Sequence, residues 1–394
     1  MEGASSDFSR RAMIRGSVLS STLWITGLDK FGWTAFYPLV KSGSSRTDVL
    51  IGCVGFCDEG DAPMDQILGT ELDGRLFTDL SVVTPEEPIV PLDKFYIRTC
   101  ASKLLDTPRK WSVQLADHSG NSSSIGMENL SKMVRALGTH LMECAGNSRS
   151  AHFGMLGAAD WAGVPVEEIL APLRLKRSDR ILIAGFDWYT TESRTSIPGA
   201  SWIFTADDLF SADAFLATGI NGQPLSLDHG APVRLFVPGW YGCTCIKWVE
   251  RIALVPEDAP ATSQMKEYAS RTMQSGIPLL ARNYRPALID PAAMPVRVEK
   301  WRTNGKTRFR VAGLEWGGPR LPDGVEIQFN QEEPYVQVTS FRAGPNKSWN
   351  FWSHDWFPRR PGKYTIRLRL TMPGTVMRRL DSGYYARSIE IAEV

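Results

Sequence analysis

The chain has two parts that differ in the spacing of their apolar and polar positions. Over residues 85–256, short apolar runs alternate with stretches of helical spacing. In Met127–Leu137 the apolar positions recur at the period of an amphipathic helix, and the apolar runs Thr139–Cys144 and Arg180–Phe186 predict strands. This part of the chain is therefore predicted to be mixed α and β.

Beyond Pro286 the pattern changes to alternating polar and apolar positions, with turn signals about every 10 residues. Asn304-Gly305, Asp323-Gly324 and Pro361-Gly362 are such signals. The predicted strands are Val296–Trp301, Thr307–Ala312, Val325–Phe329, Tyr335–Ser340, Tyr364–Leu370 and Ser388–Ile391. This spacing is typical of a β-sandwich.

These patterns, together with local composition, predict a division of the chain into five segments. Residues 81–258 form a first folded domain, residues 259–285 cross between domains, and residues 286–394 form the sandwich. Residues 41–80, which are rich in glycine and aspartate, are predicted to be an irregular lead-in. Residues 1–40 are a separate N-terminal segment.

The N-terminal segment has the layout of an export signal. Arg10-Arg11 forms a twin-arginine pattern and precedes the uncharged stretch Gly16–Leu28. Thirteen uncharged residues are too few to span a bilayer, so a membrane anchor is disfavoured. The alternative is a short amphipathic helix of a cytoplasmic protein.

Composition excludes some classes of function. The 394 residues are 43% hydrophobic, which suffices for a full core, and the net charge of +1 without a basic-aromatic cluster gives no basis for nucleic-acid binding. Residues 285–394 nevertheless hold 18 Lys and Arg against 11 Asp and Glu. Either this is ordinary surface variation, or the second domain lends arginines to an anion site shared with the first.

Six cysteines are too few for a disulfide scaffold, and their spacing does not fit a structural zinc site. Cys53 and Cys57 are either packing residues or a redox pair. Cys144 ends a predicted strand and is followed by Ala145-Gly146-Asn147-Ser148-Arg149, which places a thiol at a loop near a positive charge. Such a thiol is a nucleophile, a ligand of a soft metal, or a buried inert cysteine.

A second cluster of candidate residues lies between Asp228 and Trp248. His229, Arg234 and Lys247 stand near glycine- and proline-rich turns at strand ends, where they could bind a phosphate or an anion of pterin size. The alternative for His229 is a structural histidine that closes a turn.

Four strings in this order resemble the sulfite oxidase family of molybdopterin oxidoreductases. They are Cys144-Ala145-Gly146-Asn147-x-Arg149, Trp161-Ala162-Gly163-Val164, His229-Gly230-x-Pro232-Val233-Arg234, and Pro238-Gly239-x-x-Gly242-x-x-x-Ile246-Lys247-Trp248. The resemblance, to bacterial sulfite or sulfane dehydrogenases in particular, covers residues 73–394. It implies an α+β protein, with a mixed α/β molybdopterin-binding catalytic domain followed by an immunoglobulin-like β-sandwich dimerisation domain.

The resemblance also implies a set of site residues. Cys144 matches the family's molybdenum ligand, and Tyr268, beside the metal, and Arg98 join it as catalytic residues. Arg98, Arg149 and Arg320 match arginines of the substrate pocket. The residues expected to contact the cofactor are Arg98, Cys100, Cys144, Asp187, His229, Arg234, Cys245 and Lys247, where Cys100 stands in place of a family histidine.

The activity implied is oxidation of sulfite, or of a related small sulfur oxyanion, by oxygen-atom transfer. The chain has no CxxCH string, so we expect no haem and an external electron acceptor such as cytochrome c. A periplasmic homodimer is expected. The alternatives are reduction of a sulfoxide or other oxide at the same site, or a non-catalytic dimerising protein.

Overall fold

The computed structural model describes residues 48–57, 59–106, 109–186, 199–345 and 348–394. Its strands are β1 (Asp48–Cys53), β2 (Phe56–Cys57), β3 (Ser112–Ala116), β4 (Ser122–Gly126), β5 (Arg135–Glu143), β6 (Leu156–Pro165), β7 (Arg180–Gly185), β8 (Ser201–Thr205), β9 (Phe215–Ile220), β10 (Gln223–Pro224), β11 (Arg234–Phe236), β12 (Val249–Val255), β13 (Ala292–Thr303), β14 (Lys306–Trp316), β15 (Gly324–Gln328), β16 (Val336–Gln337), β17 (Ser340–Arg342), β18 (Asn350–Trp356), β19 (Gly362–Thr371) and β20 (Arg387–Ile391). Its α-helices are α1 (Met127–Ser131), α2 (Val166–Leu170), α3 (Ala206–Ser211), α4 (Ser263–Tyr268) and α5 (Arg378–Asp381). In the described part of the chain, no helix is long and apolar enough to cross a membrane.

Two five-stranded sheets form the mixed first part. One has the order β10-β9-β6-β5 with β11 also on β9, and the other has the order β4-β3-β12-β7-β8. The pair β3 and β12 is parallel, whereas the other pairs are antiparallel. Loops at the ends of β5 and β11 meet at the candidate site, because both strands belong to the first of these sheets.

The helix predicted over Met127–Leu137 is wrong in extent. Helix α1 ends at Ser131, and β5 begins at Arg135. Only Leu130 of this stretch is fully buried, and a register shift between Ala136 and Gly138, where Gly138 has a φ of 93°, interrupts the pairing of β5 with β6. Three helical turns of apolar spacing do not distinguish one long helix from a short helix that runs into a strand.

The second part is a sandwich of two five-stranded sheets, β1-β13-β14-β18-β17 and β16-β15-β19-β20-β2. Their inward-facing residues, such as Val298, Val311, Ile327 and Ile366, are fully buried in one core. The predicted strands are confirmed, except that Tyr335–Ser340 is divided between the short strands β16 and β17. Strand β18 was missed because its run of aromatic and polar residues does not alternate regularly.

The prediction of an irregular lead-in over residues 41–80 is wrong for its first described part. Strand β1 pairs with β13 and β2 pairs with β20, so the segment adds an edge strand to each sheet of the sandwich. These strands are short and partly exposed. Their partners lie more than 240 residues later in the chain, and local pattern cannot reveal such a pairing.

Candidate active site

Cys144 lies directly after β5, at the start of a tight loop. Its N–H donates to the Met155 carbonyl at 3.0 Å, its carbonyl accepts from the Asn147 N–H at 2.9 Å, and its Sγ accepts from the Gly146 N–H at 3.4 Å. The side chain is buried, and this burial raises the pKa of the thiol, while the charge of Arg98 opposes the rise. A soft metal ion bound to this sulfur would favour the deprotonated thiolate over the thiol.

The Cys144 residue lines an inner cavity to which the loop that joins β11 to β12 contributes several residues. Gly242 lets this loop approach β5 closely, because a Cβ there would lie 2.8 Å from the Tyr96 hydroxyl and 3.3 Å from the Glu143 carbonyl. Predicted residues that line the cavity are Arg98, Cys144, His229, Arg234, Cys245, Lys247 and Tyr268. The fold therefore brings together residues that are up to 170 positions apart.

Two cations of this cavity are held by backbone carbonyls. Arg234 is buried, donating to the carbonyls of His229 at 3.0 Å and Cys245 at 2.9 Å. The Lys247 ammonium donates to the carbonyls of Thr99 and Asp228, and lies 4.4 Å from the ring centre of Trp248. Fixed cations at an enclosed surface suit a phosphate group.

His229 lines the cavity, but both of its ring nitrogens have protein partners. Nε2 lies 2.9 Å from the Phe95 carbonyl and Nδ1 lies 2.7 Å from the Ser226 hydroxyl. Since a carbonyl only accepts, Nε2 carries the proton and Nδ1 accepts from the serine. Burial lowers the pKa of His229 to about 4, so the ring is neutral. The structure favours a role for His229 in shaping the loop, and direct contact with a cofactor stays a prediction.

The two predicted cysteine contacts differ in position. Cys245 lines the cavity, and its Sγ accepts from the Val237 N–H at 3.4 Å. Cys100 packs instead with Leu76 and Ile97, and burial, with Asp228 nearby, raises its pKa to about 11. Its neighbour Thr99 is the residue that lines the cavity, so the prediction of a cofactor contact at Cys100 is corrected. Asp187 lies outside the described residues.

Tyr268 ends α4 and reaches the same cavity as Cys144. Burial raises the pKa of its hydroxyl, and the neighbouring Cys144 raises it further. The ring centre lies 5.3 Å from the guanidinium carbon of Arg271. The predicted proximity of a tyrosine to the candidate metal ligand is therefore present in the structure.

Beside the inner cavity lies an open basin of about 820 Å³, which shares Arg98 with it. The arginines that line this basin are Arg75, Arg98, Arg271, Arg378 and Arg379. Burial, together with the charge of Arg98, lowers the pKa of Arg75 to about 10. Such crowding of guanidinium groups favours an anion that spreads its charge between them.

Two of the three arginines predicted for the substrate pocket lie elsewhere. Arg149 follows the Cys144 loop, but its Nη2 donates to the Ala386 carbonyl at 2.6 Å and so turns toward the sandwich. Arg320 lies on the surface in an ion pair with Asp323 at 2.6 Å. These two assignments are corrected, because a motif gives the position of a residue along the chain and not the direction of its side chain.

Sequence reasoning missed Arg271 and Arg379. Arg271 lies three residues after Tyr268, in the helical turn that continues α4, and this spacing is a signal that was available. Arg379 lies on α5, a four-residue helix between β19 and β20, and the basic pair Arg378-Arg379 was its only signal. The interpretation that the second domain lends arginines to an anion site agrees with the position of Arg379, whereas Arg271 belongs to the crossing segment.

The residues of the inner cavity fit a molybdenum–pterin group. The Nε of Arg234 is buried without a hydrogen-bond partner among the described residues, so a donor is left for a bound group. Cys144 supplies one soft donor, and no cluster of three His, Cys, Asp or Glu that could hold a metal ion occurs within the described residues. A group that brings its other metal ligands with it, as a dithiolene pterin does, suits this donor set.

Comparisons with known proteins agree with this interpretation. The family model described as "Oxidoreductase molybdopterin binding domain" matches residues 101–263. Sulfite oxidase of Gallus gallus is 26% identical over 291 residues, which are 67% of this chain and 62% of that protein. Mitochondrial sulfite oxidase of Mus musculus is 30% identical over 231 residues, which are 50% of this chain and 42% of that protein.

The chain is similar to members of the sulfite oxidase family, and residues 101–263 match the molybdopterin-binding domain. Its matches span less than two thirds of the length of these curated relatives. The fold is similar to that of the sulfane dehydrogenase SoxCD from Paracoccus pantotrophus, with a TM-score of 0.60 at 17% identity, over 83% of this chain and 88% of that chain. The inner cavity lies within the residues that match the molybdopterin-binding domain and the segments packed on them.

Proposed function

We propose that this protein is a molybdenum-cofactor oxidoreductase that oxidises sulfite or a related small sulfur oxyanion. One observation carries the proposal: the buried Cys144 thiol lines the same cavity as Arg234, Lys247 and Cys245, and this cavity shares Arg98 with an arginine-lined basin. A soft metal site next to an anion site is the arrangement that oxygen-atom transfer to a sulfur oxyanion requires.

The chain's own residues have distinct parts in the proposed reaction. Cys144 would ligate the metal, whereas Arg234 and Lys247 would hold the pterin and its phosphate. When bound, the cofactor supplies oxygen-atom transfer and accepts two electrons. Arg98 and Arg271, whose charges act on Cys144, would bind the substrate anion and orient its sulfur toward the metal. The Tyr268 hydroxyl, kept protonated by its burial, would donate a hydrogen bond at the same place.

The test is sulfite-dependent reduction of ferricyanide or cytochrome c, with molybdenum quantified in the same sample. Saturable turnover at about one metal per chain supports the proposal. Full metal loading without turnover of any sulfur oxyanion would refute it and favour reduction of a sulfoxide or another oxide.

We further propose that electrons leave to an external acceptor of the cytochrome c type, without a haem bound by this chain. The sequence has no CxxCH string for covalent haem attachment. Haem absorbance in the purified, active protein would contradict this proposal.

Export to the periplasm through the twin-arginine pattern, and a homodimer formed through an immunoglobulin-like sandwich, also stay proposals. Arg10-Arg11 supports export, since folded, cofactor-loaded proteins use that route. Cell fractionation of wild type and of Arg10→Lys/Arg11→Lys tests it, and light scattering of the pure protein tests the dimer.

A further inference from the structure

Arg379 of the sandwich reaches across to the loop that carries Cys144. Its Nη2 donates to the Ala145 carbonyl at 2.7 Å and to the Arg271 carbonyl at 3.0 Å. Only 13% of its side chain is exposed. One guanidinium therefore links helix α5 to the Cys144 loop and to the segment that bears Tyr268.

The charge of Arg379 faces a buried carboxylate, that of Glu143, which immediately precedes Cys144. Arg379 Nη1 lies 3.9 Å from Glu143 Oε1, and the Glu143 side chain is fully buried. Trp316 Nε1 donates to its Oε2 at 2.9 Å, and the Tyr385 hydroxyl donates to its Oε1 at 3.1 Å. Three of the groups around this carboxylate therefore come from the sandwich.

A buried carboxylate is tolerated only where cations and donors compensate its desolvation. Glu143 meets this requirement through Arg379, Trp316 and Tyr385, and also through Asn147 Nδ2 at 3.4 Å. The carboxylate and the guanidinium thus hold each other in place. This arrangement is costly to build inside a protein, and a core of apolar side chains would not need it.

A second contact from the sandwich fixes the far end of the same loop. The Tyr384 hydroxyl donates to the Asn147 carbonyl at 2.6 Å. Arg379 also lies over the rings of Tyr241, at 4.9 Å, and Tyr384, at 5.5 Å. The carbonyls of Ala145 and Asn147, which would face water in an ordinary loop, are both bound by the second part of the molecule.

We propose that Arg379 and Glu143 are positioning residues, which lock the Cys144–Asn147 loop so that the β-sandwich sets the position of the metal-ligating sulfur. The inference rests on the proposed function only for the role of Cys144 as metal ligand. Arg379 acts here through the backbone of the loop. Its effect therefore differs from that of an arginine that binds the substrate anion.

Hydrogen exchange of the full-length protein, measured by mass spectrometry, tests the lock without any need for turnover. In Arg379→Met we expect the amides of residues 144–147 to exchange about tenfold faster, since a charged donor is lost at the Ala145 carbonyl. Exchange in β6 should stay unchanged. Unchanged exchange at residues 144–147 would overturn the proposal.

Arg378→Met is the matched control, because Arg378 is the neighbouring arginine of the same helix. It donates to the Thr272 carbonyl at 2.8 Å and to Asp290 Oδ2 at 3.1 Å, and no hydrogen bond joins it to residues 144–147 in the described structure. We expect exchange at residues 144–147 to match wild type. Equal acceleration in both variants would mean general loosening of the interface, and the proposal would fall.

Glu143→Gln tests the other partner with almost no change in volume. We expect exchange at residues 144–147 to rise several-fold, because the charge that holds Arg379 is removed while an acceptor remains for Tyr385. This variant also serves if Arg379→Met does not fold. Loop exchange at the wild-type level would show that Glu143 does not position the loop.

The cofactor-loaded enzyme gives an independent reading. In Arg379→Met we expect kcat for sulfite to fall about tenfold with KM within about twofold, together with a changed electron paramagnetic resonance signal of the metal. A raised KM with unchanged kcat would assign Arg379 to substrate binding and overturn positioning. If wild type binds molybdenum but does not oxidise sulfite, the proposed function fails, whereas the exchange result still decides the lock.

Discussion

The inner cavity and the arginine basin share Arg98 and both border the loop that begins at Cys144, but they are assembled in different ways. The cavity takes half of its residues from Cys144 and from the segment 228–248, which contains β11 and the loops on either side of it. The basin takes Arg75, Arg98, Arg271 and Arg379 from segments spread over 300 residues. Most residues proposed to bind the cofactor therefore lie in short sequence motifs, whereas the arginines proposed to bind the anion are brought together by the packing of distant segments.

The largest expected effect lies at the point where the two regions meet. We expect Cys144→Ser to lower sulfite turnover more than about 10³-fold, because a serine oxygen is a poor replacement for a soft thiolate ligand. Circular dichroism should show an intact fold. Turnover within about tenfold of wild type, at full metal loading, would show that Cys144 is not the metal ligand. The inner cavity would then lose its role as the cofactor site.

We expect the stability of the protein to depend on pH through His229 of the cavity, because this histidine is buried and neutral. Its pKa of about 4 lies below the unfolded value of 6.5, so the unfolded chain binds more protons between these values. Acidification from pH 6.5 to 4 should therefore cost stability, by about 3 kcal/mol at most. We expect His229→Gln to flatten this part of the curve of unfolding free energy against pH, measured in urea on cofactor-free protein.

Glu315 of the sandwich is expected to change stability with pH in the opposite direction to His229, and so it serves as an internal control. Burial raises its pKa to about 7 from 4.5, and Asn350 donates to it at 2.6 Å. The folded state binds more protons between pH 4.5 and 7, so stability should fall as pH rises through this range, and Glu315→Gln should remove that fall. Identical curves for both variants and wild type would contradict the two assignments.

Matched substitutions of a basin arginine and a surface arginine test which of the two binds the substrate anion. We expect Arg271→Met to lower kcat/KM for sulfite about 10- to 100-fold, since one charge-assisted contact to the anion is lost. Arg320→Met removes the same charge at a surface ion pair and should stay within about twofold. A larger loss at Arg320 than at Arg271 would return the substrate site to the position that the motif suggested.

The smallest expected effect is that of salt. The basin is open, so its charges are screened, and KM for sulfite should rise about threefold between 0.01 and 0.15 M salt. We expect kcat to stay constant, since the enclosed cavity is screened less. A KM that does not respond to ionic strength would mean that the arginines are neutralised by their protein partners.

Local sequence patterns were sufficient to predict the two parts of the chain, most strands of the sandwich, the resemblance to the sulfite oxidase family and the cavity residues Cys144, Arg234 and Lys247. Strand alternation and short strings depend on near neighbours, so they can be read from the chain directly. Cys144, Arg234 and Lys247, which belong to the strings, and Tyr268, which follows them in the chain, all line one cavity.

Tertiary packing, by contrast, determines which arginines line the basin and what holds Cys144 in place. Arg149 and Arg320 are held by partners outside the basin, whereas Arg271 lines the basin and Arg379 binds the Cys144 loop beside it. Strands β1 and β2 likewise find partners only at the far end of the chain. The direction of a side chain, and the partner of a buried charge such as Glu143, depend on segments that folding brings together from distances along the chain over which local pattern carries no information.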